Sequence, residues 1–223
     1  MGAVTRTSES LSPELYDYLV AHSAPVDDVL ADLAAETERL FPGQAGMQIG
    51  PEQGTFMTLL ARLSGARDVV EIGSFTGYSA ICLARGIPAD GTLLACDVSE
   101  EWTTVARRYW ERAGVADRIT LRLAPALDTL RALPDDARFD LAFIDADKEG
   151  YVGYWDALVP RIRPGGALLV DNTLSHGRVV DPAETGAHVQ GIRDFNDRAL
   201  ADDRVDVVLL PIGDGLTLAR RRD

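Results

Sequence analysis

The sequence predicts an α/β protein with a mostly parallel seven-stranded sheet, helices on both faces and an antiparallel hairpin at the carboxyl end. Short β-rich runs alternate with longer amphipathic segments, which is typical of βα units. The first of these runs is continuously apolar, as expected of a strand buried on both faces. No repeat, low-complexity tract or linker interrupts the 223 residues. We therefore expect one domain over 1–223, with an amino-terminal helical cap over 1–65 and an α/β core over 66–223.

Composition limits the possible partners. The chain has 22 Lys+Arg against 35 Asp+Glu, a formal net charge of −13, which disfavours general binding to nucleic acid or anionic membranes. Its two cysteines, Cys82 and Cys96, lie in apolar stretches, unlike a disulfide framework or a zinc cluster. The chain lacks a long apolar run, and residues 1–10 lack the apolar core of a signal peptide. These features predict a cytoplasmic protein with a small-molecule partner.

Three helices are predicted before the first strand. Ser12-Pro13 opens a helix to about residue 21, Pro25-Val26-Asp27 opens one to about residue 40, and Pro51-Glu52 opens one to residue 62.

The core is predicted to begin with a strand over 68–72. The elements that follow are a helix over 77–85, a strand over 92–97, a helix over 99–113, a strand over 119–123, a helix over 126–133, a strand over 139–144 and a helix over 150–162.

Turn residues divide the last third of the chain. Arg163-Pro164-Gly165-Gly166 is predicted to stop the preceding helix and to lead into a strand over 167–170. A helix over 185–200 precedes strands over 206–210 and 216–219, and Gly213-Asp214-Gly215 between them predicts a hairpin. The arginines at 220–222 are interpreted as a solvated tail.

Acidic residues at the first two strand ends predict an adenosine cofactor. Glu71 precedes Gly73 and Gly77 with the spacing E-x-G-x-x-x-G, which differs from the G-x-G-x-x-G of dinucleotide sites. Glycines at this turn allow a ligand to approach the backbone. Asp97 ends the next strand, where a carboxylate can accept hydrogen bonds from both ribose hydroxyls. An acid pair suits a cationic cofactor such as S-adenosylmethionine (SAM), although both acids could instead cap helices.

The next two strand ends carry oxygen ligands. Asp145 ends the fourth strand, and Asp171 with Asn172 ends the fifth, so neighbouring strands can present three oxygens to one point. Such a set suits a hard cation, Mg²⁺ above all, with Mn²⁺ or Ca²⁺ as alternatives. The absence of His and Cys from these motifs argues against zinc. The alternative is a polar turn and a helix cap.

Lys148 is the only lysine among the 22 basic residues. It follows Asp145 by three positions, within reach of a hydroxyl held on the cation, and is the candidate general base, with Asp145 as its catalytic neighbour. An amine can lose its proton beside a cation, whereas a guanidinium stays protonated. A solvated lysine, or water as the base, remains open. The intervening Asp147 is expected to cap the next helix.

These motifs together carry a family resemblance. From Met47 onward the chain resembles the cation-dependent catechol O-methyltransferases of the caffeoyl-CoA type, a class I methyltransferase family. The matching motifs, in order, are Glu71-Ile72-Gly73, Thr76-Gly77-Tyr78-Ser79, Ile144-Asp145-Ala146-Asp147-Lys148, Asp171-Asn172-Thr173-Leu174 and Pro211-Ile212-Gly213-Asp214-Gly215.

The resemblance implies methyl transfer from SAM, with S-adenosylhomocysteine (SAH) as product, to one hydroxyl of a catechol chelated to Mg²⁺. It further implies a homodimer. The residues it assigns to the SAM pocket are Ile49, Glu71, Gly73, Ser74, Ser79, Asp97, Ala126, Asp145 and Tyr154. Plant members carry a tryptophan where this chain has Ser175, so the acceptor remains open among free catechols, flavonoids, CoA esters and intermediates of specialised metabolism.

Two rival functions remain. The first is a metal-independent SAM enzyme acting on nitrogen or nucleic acid, and the second is a catalytically idle SAM-binding domain. His176 follows the metal motif and either contacts the acceptor or lies on the surface, whereas His188 carries no signal. Trp102, Trp110 and Trp155 are interpreted as core or interface residues.

Overall fold

The computed structural model describes residues 11–136 and 138–223. Residues 1–10 and Ala137 lie outside the described residues. The prediction that the chain has no signal peptide concerns residues 1–10 and therefore also lies outside them. The helices are α1 (Pro13–Ala21), α2 (Asp28–Leu40), α3 (Pro51–Leu63), α4 (Tyr78–Gly86), α5 (Glu100–Arg112), α6 (Ala126–Ala132), α7 (Tyr151–Leu158) and α8 (Ala187–Leu200). The strands are β1 (Asp68–Ile72), β2 (Thr92–Asp97), β3 (Ile119–Leu123), β4 (Phe139–Ile144), β5 (Ile162–Val170), β6 (Val205–Leu210) and β7 (Leu216–Arg221).

The strands form one seven-stranded sheet in the order β3-β2-β1-β4-β5-β7-β6. Strands β1 to β5 pair in parallel, and β7 pairs antiparallel with both β5 and β6. The predicted fold class and the carboxyl-terminal hairpin are therefore confirmed.

Each face of the sheet carries its own apolar core, because successive side chains of a strand point to opposite faces. On one face, Val69 and Leu141 pack with α2 to α5, where Leu33 and Met57 are fully buried. On the other, Val70 and its neighbours pack with α6 to α8 through residues that include Trp155. The three helices before β1 were predicted correctly, and α2 and α3 share their core with the sheet.

The prediction that residues 163–166 form a turn between a helix and the fifth strand is wrong. Helix α7 ends at Leu158, and β5 begins at Ile162, so Pro164-Gly165-Gly166 lies inside the strand. The partner register jumps from Phe139↔Ile162 to Leu141↔Ala167, which marks a bulge. A side chain at Gly166 would lie 2.7 Å from the Asp140 carbonyl oxygen, so the segment packs directly against β4.

The carboxyl terminus also differs from the prediction. Arg220 and Arg221 belong to β7 rather than to a solvated tail, and Arg222 Nε donates to Asp206 Oδ1 at 2.8 Å. Within 11–136 and 138–223, no helix combines the length and apolarity needed to cross a bilayer.

Candidate active site

A cavity of about 690 Å³ opens at the carboxyl ends of the parallel strands, where open α/β sheets bind their ligands. Gly73 after β1, Asp97 at the end of β2, Asp145 after β4 and Asn172 after β5 all line it. Its volume lies within the range of about 300–1,000 Å³ usual for small-molecule sites.

The structure brings together most of the residues that the sequence assigned to the cofactor. The cavity is lined by Ile49, Gly73, Ser74, Ser79, Asp97, Ala126, Asp145 and Tyr154. Glu71 is the exception, because it is fully buried and lies behind Ser74, whose Oγ donates to Glu71 Oε2 at 2.5 Å.

The glycines of the β1 turn are required by contacts within the protein. Gly73 has φ +87°, and a Cβ there would lie 2.0 Å from the Asp145 carbonyl oxygen. Gly77 has φ +92°, and a Cβ there would lie 2.5 Å from Trp110 Nε1. The sequence interpretation assigned these glycines to the approach of a ligand, and the structure adds the close packing of two strand ends and of α4 on α5.

Asp97 is held by three backbone amides. Its Oδ2 accepts from Ser74 N at 3.0 Å and Phe75 N at 2.9 Å, and its Oδ1 accepts from Ser99 N at 2.8 Å. A carboxylate has about four lone-pair sites, so one remains for a hydroxyl in the cavity. The fixed carboxylate can therefore accept from one ribose hydroxyl, whereas the sequence interpretation expected it to accept from both.

Glu71 is a buried acid with an incomplete set of partners. Burial raises its pKa to about 7, against the hydrogen bond from Ser74 that favours the charged form. Its Oε1 has no hydrogen-bond partner among the described residues. A buried carboxylate of this kind fits a positively charged ligand better than a pyrophosphate.

Lys148 is joined to both predicted metal-binding strands. Its Nζ donates to Asp145 Oδ1 at 2.8 Å and to the Tyr151 hydroxyl at 2.7 Å. That hydroxyl in turn donates to the Asp171 carbonyl oxygen at 3.1 Å. The lysine side chain is only 9% exposed, so the solvated-lysine alternative is wrong.

Asp171 and Asn172 take different positions at the end of β5. Asn172 lines the cavity and has φ +57°, whereas Asp171 is 3% exposed and accepts from the Asn172 amide at 2.7 Å. Burial and the negative charge of Asp145 raise the pKa of Asp171 to about 7. Two carboxylates and a side-chain amide supply the oxygen donors that a hard cation prefers, although Asp171 does not itself line the cavity. No three His, Cys, Asp or Glu side chains cluster as a metal site in the described parts of the chain.

Several cavity residues were not predicted from the sequence. Trp102, interpreted as a core residue, lines the cavity and packs edge-on against Phe75 with ring centroids 5.1 Å apart. His188, which carried no sequence signal, and Arg178 also line it. Asp147 accepts from the Tyr154 hydroxyl at 2.5 Å and forms no helix-capping hydrogen bond. No local sequence pattern marks Trp102, His188 or Arg178 as cavity residues.

The strand order and this cavity define a class I methyltransferase. The O-methyltransferase family model matches residues 20–222, and the chain belongs to this family of SAM-dependent O-methyltransferases. It is 41% identical over 185 residues to caffeoyl-CoA O-methyltransferase 2 of Zea mays, covering 78% of this chain and 70% of the relative. It is 38% identical to catechol O-methyltransferase domain-containing protein 1 of Mus musculus, covering 96% and 83%.

A solved structure supports the same assignment. The O-methyltransferase TomG from Streptomyces achromogenes, involved in tomaymycin synthesis and solved in complex with SAM, superposes with a TM-score of 0.86. It is 33% identical, and the match covers 94% of this chain and 96% of TomG. The family resemblance and the enzyme class predicted from the motifs are confirmed.

Proposed function

We propose that this enzyme transfers the methyl group of SAM to one hydroxyl of a catechol-type small molecule, with a divalent cation, Mg²⁺ above all, held by Asp145, Asp171 and Asn172. Lys148 is the general base. The observation that carries the proposal is the meeting of Asp145, Asn172 and Lys148 in one cavity with the carboxylate of Asp97. The names of the maize and mouse relatives, which refer to caffeoyl-CoA and catechol, support the same substrate class.

The cation would lower the pKa of the acceptor hydroxyl that it binds, and SAM would supply an activated methyl group. The chain's own residues position the reactants, which is most of the catalytic effect in such a transfer. Asp97 orients the nucleoside, and Glu71 provides negative charge behind Ser74.

Lys148 moves the proton. Its Nζ lies 2.8 Å from Asp145 Oδ1 and is held by the Tyr151 hydroxyl, so it stays beside the oxygen ligands rather than in solvent. A cation held by those ligands would compete with the ammonium for Asp145 and would favour the neutral amine. A neutral Nζ then accepts the proton of the acceptor hydroxyl.

The test is transfer of a labelled methyl group from SAM to a panel of catechols, with EDTA and then with Mg²⁺ added back. Transfer that is lost with EDTA and restored by Mg²⁺ supports the proposal. Methyl transfer that is unchanged by EDTA would mean that Asp145, Asp171 and Asn172 are structural residues. It would favour the alternative of a metal-independent SAM enzyme. SAM binding without transfer to any catechol favours the idle domain.

A matched pair of variants locates the effect. Asp171→Asn removes a proposed ligand charge, and Asp128→Asn removes an exposed carboxylate on α6 that forms an ion pair with Arg131. We expect only the first to abolish stimulation by Mg²⁺. The homodimer and the cytoplasmic location remain predictions, and light scattering on the purified chain tests the dimer.

A further inference from the structure

The cavity has a second group of polar side chains beyond Asn172. His176 and Arg178 come from the turn at Ser175–Val180, Asp214 comes from the β6–β7 connection, and His188 comes from the first turn of α8. His176 and Arg178 follow Asn172 by four and six positions, and His188 interacts electrostatically with Lys148, so we call this group the acceptor end of the cavity.

Most charges at the acceptor end have partners. Lys148 pairs with Asp145 at 2.8 Å. Asp214 accepts a short hydrogen bond from the His176 backbone amide and lies 3.4 Å from His176 Nδ1. Arg178 is the only arginine that lines the cavity, and it has no carboxylate partner among the residues the structure describes.

The position of Arg178 is fixed by the chain around it. Its Nε donates to the Ser175 carbonyl oxygen at 3.1 Å, which leaves the two terminal nitrogens for another acceptor. Arg193 on α8 then binds the turn from outside, through the carbonyl oxygens of Arg178, Val179, Asp181 and Glu184 at 2.5–3.0 Å. The guanidinium is thus held in place before any ligand binds, which lowers the entropic cost of binding.

The neighbouring histidine adds no competing charge. Burial and the positive charges of Lys148 and Arg178 lower the pKa of His188 below its usual value. His188 is therefore neutral at neutral pH, although the negative charges of Asp214 and Glu149 act in the opposite direction.

We propose that Arg178 binds a carboxylate carried by the acceptor, so that the substrate class is a catechol bearing an acidic side group. This inference rests on the proposed function. A guanidinium presents paired N–H donors that match a carboxylate, and such charge-assisted bonds are stronger than neutral ones. The overall charge of −13 repels anionic acceptors at long range, so their binding requires a local cation of this kind.

The test compares acceptors that differ only in charge. 3,4-Dihydroxycinnamate is set against its methyl ester, and 3,4-dihydroxybenzoate against its methyl ester, with Mg²⁺ and SAM. The wild-type kcat/KM is expected to be about tenfold or more higher for each acid, mainly through KM, and Arg178→Gln should abolish that preference. Arg178→Lys keeps the positive charge but loses the paired N–H donors of the guanidinium, so it should retain part of the preference for the acid. Arg122→Gln, at an exposed arginine on β3 that does not line the cavity, should leave the ratio unchanged.

Calorimetry separates this inference from the proposed function. The same acid and ester are titrated into SAH-loaded protein, where no transfer occurs, and the acid should bind more tightly to wild type but not to Arg178→Gln. If no catechol is methylated but this binding preference holds, the proposed function fails and the carboxylate site stands. Equal binding of acid and ester to wild type overturns the site. If 3,4-dihydroxycinnamoyl-CoA binds more tightly than the free acid, and Arg178→Gln removes that advantage, the bound group is a phosphate and the carboxylate assignment is wrong.

Discussion

Replacing Glu71 with glutamine should remove a defined part of the pH dependence of folding. The pKa of Glu71 is about 7 in the folded protein against 4.5 for an ordinary glutamate, because the side chain is fully buried. A tenfold change in proton affinity is worth about 1.4 kcal/mol, so the linkage amounts to about 3 kcal/mol. Because the folded pKa is raised, this stabilisation is complete below pH 4.5 and is lost as the pH rises through about 7.

The measurement is urea unfolding of the ligand-free protein at several pH values between 5 and 8, followed by circular dichroism. The unfolding free energy of wild type should fall with rising pH more steeply than that of Glu71→Gln, by about 2.5 kcal/mol between pH 5 and 8. Any constant offset from the substitution cancels, since only the slopes are compared. Glu101→Gln, at an exposed glutamate on α5, is the control and should follow wild type. Parallel curves for wild type and Glu71→Gln would refute a buried, proton-binding Glu71.

Three further substitutions test the site and its support. Lys148→Arg keeps the charge but cannot deprotonate, so kcat should fall by about a hundredfold or more while SAM binding measured by calorimetry persists; unchanged activity across pH would remove Lys148 from the mechanism. Asp97→Ala removes the proposed ribose acceptor and should weaken SAM binding about tenfold or more, and tight binding afterwards would mean that the ribose lies elsewhere. Asp202→Ala should destabilise the fold by about 3 kcal/mol, because Asp202 accepts from Trp155 Nε1 at 2.9 Å and from Arg204 Nε at 2.7 Å. Chemical denaturation measures this loss, and a change below about 1 kcal/mol would show that water replaces the carboxylate.

The sequence predicted those features that have local signals. Apolar runs locate β1, β2 and β4, and the acids at the ends of β2 and β4 place Asp97 and Asp145 at the same edge of the sheet, because parallel strands end together. The start of β5 was missed. Pro164-Gly165-Gly166 has the local chemistry of a turn, yet Arg163 Nε donates to Asp140 Oδ1 at 2.5 Å and keeps the segment in the sheet, a contact that only the tertiary fold supplies.

The acceptor end of the cavity could not be predicted for a similar reason. Arg178 faces the cavity because Arg193 binds the carbonyl oxygens of the turn that carries it, and these two residues belong to segments with no shared periodicity. His188 likewise reaches the cavity only through the position of α8. Residues that bind through such loops depend on long-range contacts, whereas acids at strand ends depend on the strand itself.

The charges of the ligand-free site couple stability to binding. Glu71 and Asp171 are buried carboxylates with pKa values raised to about 7, and burial is the first cause in both. Keeping them ionised costs folding free energy, which a cationic ligand at either position offsets by its own charge. Binding of a positive ligand should therefore release protons below about pH 7 and stabilise the fold by mass action. At the acceptor end the sign of the charge is reversed, because the group with no ion-pair partner in the described part of the chain is the Arg178 cation. The two proposals together predict that a cationic ligand binds near Glu71 and Asp97 and that an anionic group binds at Arg178.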